Sequence, residues 1–164
     1  MELWDLYDEN RTLTGRTHVR GETIPAGCYH LVVHVWIRNS ERKYLISQRS
    51  ANRPTFPLYW ECVGGSVVAG EDSFAGAIRE AKEEVGIDLA PENGHVVFTK
   101  TRKSYADTVD VWLFDYDGEV DLKNATTDEV AQSHWMTREE IHALYEQGKL
   151  VNTLEYFFEK VDVI

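Results

Sequence analysis

The stretch from Gly70 to Gly86 restricts the fold of this chain more than any other. It reads Gly70-Glu71-Asp72-Ser73-Phe74-Ala75-Gly76-Ala77-Ile78-Arg79-Glu80-Ala81-Lys82-Glu83-Glu84-Val85-Gly86. Its pattern predicts a helix from about Asp72 to Val85, capped by Asp72 or Ser73 and ended by Gly86. At roughly 100° per residue, with Glu80 at zero, Glu83 lies near −60° and Glu84 near +40°. Phe74, Ala77, Ile78, Ala81 and Val85 form an adjacent apolar stripe. One side of the helix must therefore pack into a core while the next side concentrates negative charge. Like charges at these spacings cost a helix a few tenths of a kcal/mol per pair. An acidic surface face is the plain explanation, but a divalent cation would turn the repulsion into binding.

The elements around this helix read mostly as strands. A strand is expected over Cys28–Arg38, from the alternation of Tyr29, Leu31, Val33, Val35 and Ile37. Lys43–Gln48 is expected as its hairpin partner. Short strands are expected at Trp4–Tyr7, Tyr59–Val63, Ser66–Val68, His95–Arg102 and Val109–Tyr116. Thr137 with Glu140 forms a capping-box pattern before a helix that stops at Gly148, and Asn152 with Glu155 suggests a final short helix. The expected architecture is α+β, layered α/β/α around a mixed sheet, in a single domain of residues 1–164.

With 164 residues and a hydrophobic fraction of 43%, the chain can bury a core. Its net charge of −11 argues against a nucleic-acid backbone as partner. Small phosphorylated ligands stay open, because a metal can make acidic residues bind phosphate. No apolar run is long enough for a membrane span, so no membrane partner is expected. The start lacks a signal-peptide pattern, and Cys28 and Cys62 suggest no disulfide framework; a cytoplasmic placement is expected. A homodimer is left open.

Gly65, five residues, Glu71, seven residues, then Arg79-Glu80-Ala81-Lys82-Glu83-Glu84-Val85-Gly86-Ile87 resembles the signature of the Nudix hydrolases. Ala81 is smaller than the usual aliphatic residue. The resemblance implies a sandwich fold and a metal-dependent pyrophosphohydrolase that cuts a diphosphate linkage in a small molecule. It implies Mg²⁺, with Mn²⁺ as a substitute. It casts Glu80, Glu83 and Glu84 as metal ligands or water-positioning residues, and the Gly64 carbonyl as a further ligand. Glu71 and Arg79 would support them. An extra acidic ligand is expected from Asp107, Asp110 or Glu129.

A wider resemblance runs through His18-Val19-Arg20-Gly21, Tyr29–Trp36, Gln48-Arg49-Ser50 and Pro57-Leu58-Tyr59-Trp60. These segments resemble the Nudix branch that contains isopentenyl-diphosphate isomerase. That likeness makes Arg49 and Arg53 the expected diphosphate-binding residues, with Arg16 and Arg20 behind them. The isomerase's catalytic Cys and metal-binding His are absent: Gly64-Gly65-Ser66-Val67 occupies that stretch. Cys62 lies two residues early and reads as structural. His18, His30 and His34 read as strand histidines with structural hydrogen bonds. Trp36, Phe56, Tyr59 and Trp60 read as packing residues, one of which could stack on a planar ligand group. An isomerase and a non-catalytic ligand-sensing module are the alternatives to a hydrolase.

Overall fold

The computed structural model describes residues 1–163. Strand β1 (Leu3–Tyr7) pairs antiparallel with β2 (Leu13–Val19) as a small separate sheet. The main sheet contains β3 (His30–Arg38), β4 (Tyr44–Arg49), β5 (Trp60–Glu61), β6 (Val63–Ser66), β7 (Gly94–Arg102), β8 (Asp107–Asp115) and β9 (Val130–Met136). Its strand order is β5-β4-β3-β8-β7, with β6 on β3 and β9 on β4. The β3–β8 pair is parallel and its other pairs are antiparallel, so the sheet is mixed as expected.

Helix α1 (Ser73–Val85) covers one face and α2 (Arg138–Glu146) lies with the C-terminal turns on the other. Both cores follow from β3, which is apolar on both sides. Leu31, Val33, Val35 and Ile37 meet Ala77, Ala81 and Val85 of α1. Val32 and Trp36 point the opposite way, toward Ile141, Leu154 and Phe157. A strand buried on both faces reads as a continuous apolar run, as this one does.

The caps of α1 match its sequence. The Asp72 side chain accepts a hydrogen bond from Ala75 N at 2.8 Å, and Gly86 closes the helix at φ 70°. The left-handed conformation favours glycine there. The capping box of Thr137 and Glu140 is also present.

Other local expectations fail for tertiary reasons. β4 meets β3 only at Arg38 and Tyr44. Beyond that point the hairpin splays: β3 pairs with β6, while β4 pairs with β5 and β9. Gly64 and Gly65 lie inside β6 rather than between two strands, because a side chain at Gly64 would strike the Val33 carbonyl at 2.7 Å. β2 and β9 have no counterpart among the expected strands. The final helix is instead a 3₁₀ turn at Asn152–Leu154, without a side-chain cap bond, followed by a π-type turn at Phe157–Val161. Leu154, Phe157 and Val161 are all buried against the sheet, so packing determines the turn there.

Candidate functional site

On α1, the residues facing the sheet include two acids. Glu80 is 7% exposed and Glu84 is 4% exposed, beside Ala77, Ala81 and Val85. Glu83 turns outward and remains half-buried. The helix approaches so closely that a side chain on Gly65 would collide with the Glu80 carboxylate. Gly65 of β6 thus makes room for the Glu80 carboxylate, while Gly64 lets the strand approach Val33 and His34 of β3.

Arg79 links the cluster. Its guanidinium donates to Glu71 Oε2 at 2.8 Å and Oε1 at 3.1 Å, to Glu80 at 3.0 Å, to Glu83 at 3.1 Å and to the Ser66 carbonyl at 2.9 Å. Burial works against its charge, but the Glu71 bonds and the charges of Glu80, Glu71 and Glu83 hold its pKa well above the usual value. Glu71 also accepts from Val68 N at 3.1 Å, which ties the preceding loop to the helix. Glu71, Arg79, Glu80 and Glu83 are therefore one hydrogen-bonded unit.

Glu84 differs, because it accepts no hydrogen bond among the described residues. Burial raises its pKa well above the carboxylate range, and the charges of Glu61, Glu80 and Glu129 raise it further. Burial likewise pushes Glu80 up to about 7, with Arg79 opposing and Glu83 and Glu129 adding to the shift. Like charges in a partly dry site disfavour joint ionisation.

Two strands and two loops complete the cluster. Arg49 donates to Glu61 at 2.6 Å and to the Thr55 carbonyl at 3.0 Å, with its side chain 9% exposed. Arg53 donates to Glu129 at 2.5 Å and keeps 22% of its side chain exposed. Six carboxylates (Glu61, Glu71, Glu80, Glu83, Glu84, Glu129) thus face three guanidinium groups (Arg49, Arg53, Arg79). Full ionisation would leave a net charge of −3.

The remaining acids named from sequence lie elsewhere. Asp107 is held by Arg102 at 2.6 and 2.8 Å. Asp110 is held by Arg11 through two bonds of 2.5 Å and by Thr99 at 2.8 Å. Of the three extra acids, only Glu129 reaches the cluster. Glu61 was missed by sequence reasoning. Period-two alternation could have found it: Trp60 and Cys62 pack into one core and Val63 into the other, which turns Glu61 toward the α1 side. His18 bonds the Glu22 carbonyl, while His30 stacks on Trp4 with centroids 3.9 Å apart. Arg16 lies 3.9 Å from the Cys28 sulfur and Arg20 pairs with Glu2, both away from the carboxylates.

The sequence model of the NUDIX domain matches residues 29–160. The chain belongs to the Nudix family. An uncharacterized Nudix hydrolase of Listeria innocua is 38% identical over 96% of this chain and 91% of its own length. Another, from Listeria monocytogenes, is 37% identical over the same shares. The crystal structure of DR0079 from Deinococcus radiodurans superposes with a TM-score of 0.77 at 22% identity, covering 98% of this chain and 99% of that one. It shows a shared Nudix fold, the α/β sandwich with a mixed sheet. The chain is thus a Nudix hydrolase, of a family that cuts pyrophosphate bonds in small molecules and typically depends on a divalent metal. Among the described residues, no helix is long and apolar enough to cross a membrane.

The cluster fits a hard cation by charge and donor chemistry. All its side-chain donors are carboxylate oxygens, the acids exceed the cations by three, and Glu84 has no hydrogen-bonding partner among the described residues. Among the described residues, however, no three acids, histidines or cysteines close into a ready-made cage. Arg79 explains this, since it occupies oxygens of Glu71, Glu80 and Glu83.

Proposed function

We propose that this Nudix hydrolase cleaves the diphosphate linkage of a small organic molecule, such as a nucleoside diphosphate linked to another group, by attack of water at phosphorus. The observation that carries the reading is the buried pair Glu80 and Glu84, with Glu80 packed against Gly65, amid an uncompensated carboxylate cluster. Glu80, Glu83, Glu84 and the Gly64 carbonyl would hold Mg²⁺, or Mn²⁺ in its place. The ion supplies compensation for the diphosphate charge and acidity for water.

The chain's own residues do the rest. Arg79 and Glu71 lock the carboxylates relative to the loop before α1. A carboxylate of the cluster accepts the proton as the water oxygen bonds to phosphorus and the bridging P–O bond breaks. The displaced oxygen leaves with the second product. Arg53, whose guanidinium bonds the rim acid Glu129 and no other side chain among the described residues, is positioned to exchange that partner for a diphosphate oxygen. Arg49 is already engaged with Thr55 and Glu61, which suits holding the 50–58 loop in place.

The environment of Cys62 does not support the isomerase alternative. Cys62 is 2% exposed, and burial pushes its thiol well above the ordinary range. That environment suits packing rather than proton transfer. The test is a panel of nucleoside triphosphates, nucleotide sugars, dinucleotides and isoprenoid diphosphates with Mg²⁺ or Mn²⁺, with both products identified by mass. Cleavage at a diphosphate bond is expected. Double-bond migration without phosphate release would instead identify an isomerase, and no turnover anywhere on the panel would defeat the hydrolytic reading.

A further inference from the structure

A cleft of about 1060 Å³ opens on the face of the sheet opposite α1. Phe98, Tyr156 and Phe158 supply aromatic walls, and His34 reaches it from β3. Its charge is the reverse of the carboxylate site. Lys100, Arg102, Lys103, Arg138 and Lys160 line it, against Glu155 and Glu159. Arg102 and Arg138 are paired with Asp107 and Asp162. The three lysines make no ion pair among the described residues. Counting the two partner aspartates, five cations meet four acids in a chain whose net charge is −11.

The wall also carries an oriented donor. Trp36 Nε1 can only donate, and it donates to the Tyr156 hydroxyl at 2.9 Å. The buried hydroxyl then places its own proton on its other neighbour, His34 Nδ1, at 2.8 Å. Such an arrangement leaves the His34 proton on Nε2, which has no partner among the described residues. Burial lowers the His34 pKa to about 3, so the ring is neutral and this tautomer persists at ordinary pH.

We propose that this cleft binds a planar aromatic group carrying an anionic substituent. The aromatic walls take the ring, His34 Nε2–H donates to it, and Lys100, Lys103 and Lys160 hold the anion. This ligand chemistry belongs either to the far half of the substrate, which rests on the hydrolytic reading above, or to a separate small anion, which does not.

Two probes of matched shape test it in EDTA: 8-anilinonaphthalene-1-sulfonate and the uncharged N-phenyl-1-naphthylamine. The sulfonate should bind about tenfold tighter or more. Combining Lys100→Ser, Lys103→Ser and Lys160→Ser should remove that preference while leaving the melting temperature level, since all three lysines are exposed. In turnover, a KM rise in this variant confined to substrates with a further charge on their organic half assigns the ligand to the substrate. Unchanged KM alongside lost sulfonate binding assigns it to a separate anion. A protein that hydrolyses no diphosphate would leave the binding result standing. Equal affinity for both probes, or sulfonate binding that survives the triple variant, overturns the proposal.

Discussion

Asp110 and Glu84 are both buried acids, yet the fold treats them oppositely. Burial works to raise both pKa values. At Asp110 it is outweighed by hydrogen bonds from Arg11, Ser73 and Thr99, which hold the carboxyl below the usual range. At Glu84 no hydrogen bond opposes it, and Glu61, Glu80 and Glu129 add to the rise. One acid is matched by a guanidinium that ties the N-terminal hairpin to β8; the other belongs to a group in which acids outnumber cations. Burial of a charge therefore does not distinguish structure from function here. The balance of the neighbourhood does: a matched acid contributes stability, and an unmatched one is held at a cost that ligand binding can offset.

The largest expected effect sharpens this contrast. Glu84→Gln keeps the shape but removes the charge, so kcat should fall by about a hundredfold or more, as when an ion and its water are misplaced. The metal-free melting temperature should hold or rise, because one like-charge repulsion is gone. Turnover close to wild type would remove Glu84 from the mechanism.

Asp110→Asn should behave the opposite way. It breaks a bidentate pair whose arginine is 40% exposed, so a discounted loss of about 1–2 kcal/mol is expected in urea unfolding. Turnover per folded molecule should stay level; a large fall in kcat would place Asp110 in the site.

Arg53→Ala should raise KM by about tenfold through loss of a diphosphate contact. Arg49→Ala should act mainly on loop stability, measured as faster proteolysis within residues 50–58. Equal KM values in wild type and Arg53→Ala would return Arg53 to a purely structural pairing with Glu129.

A pH dependence is also expected, measured on the metal-free protein. Asp110 has a depressed folded pKa, so its contribution is present above its ordinary 3.8 and is lost as pH falls through the folded value. Glu80 has a folded pKa raised to about 7, so its contribution is present below its ordinary 4.5 and is lost as pH rises through about 7. Denaturant unfolding in EDTA should show stability declining from pH 4.5 to 7, and Glu80→Gln should flatten that slope. An unchanged slope in the variant would mean that other groups set it.

The sequence by itself determined what depends on neighbours within a turn or a strand. Asp72 and Gly86 bound α1 because caps act over three or four residues. Glu80 and Glu84 share a side with Ala77 and Ala81 because the helical repeat requires it. One buried face of β3 was written in the alternation of Leu31, Val33, Val35 and Ile37, whereas the burial of Val32 and Trp36 on its other face came from packing against Ile141 and Phe157. The tertiary structure alone decided which distant charges meet. Arg53 and Glu129 are 76 positions apart, and Arg11 and Asp110 are 99 apart; no local periodicity links residues so far along the chain. From sequence Asp107, Asp110 and Glu129 were equivalent acids, until the parallel pairing of β3 with β8 carried two of them away and β9 carried the third toward Arg53. The same holds for the splayed β3–β4 hairpin and the irregular C-terminal turns, where packing against a sheet assembled from distant segments outweighs the fraction of a kcal/mol that local propensity contributes.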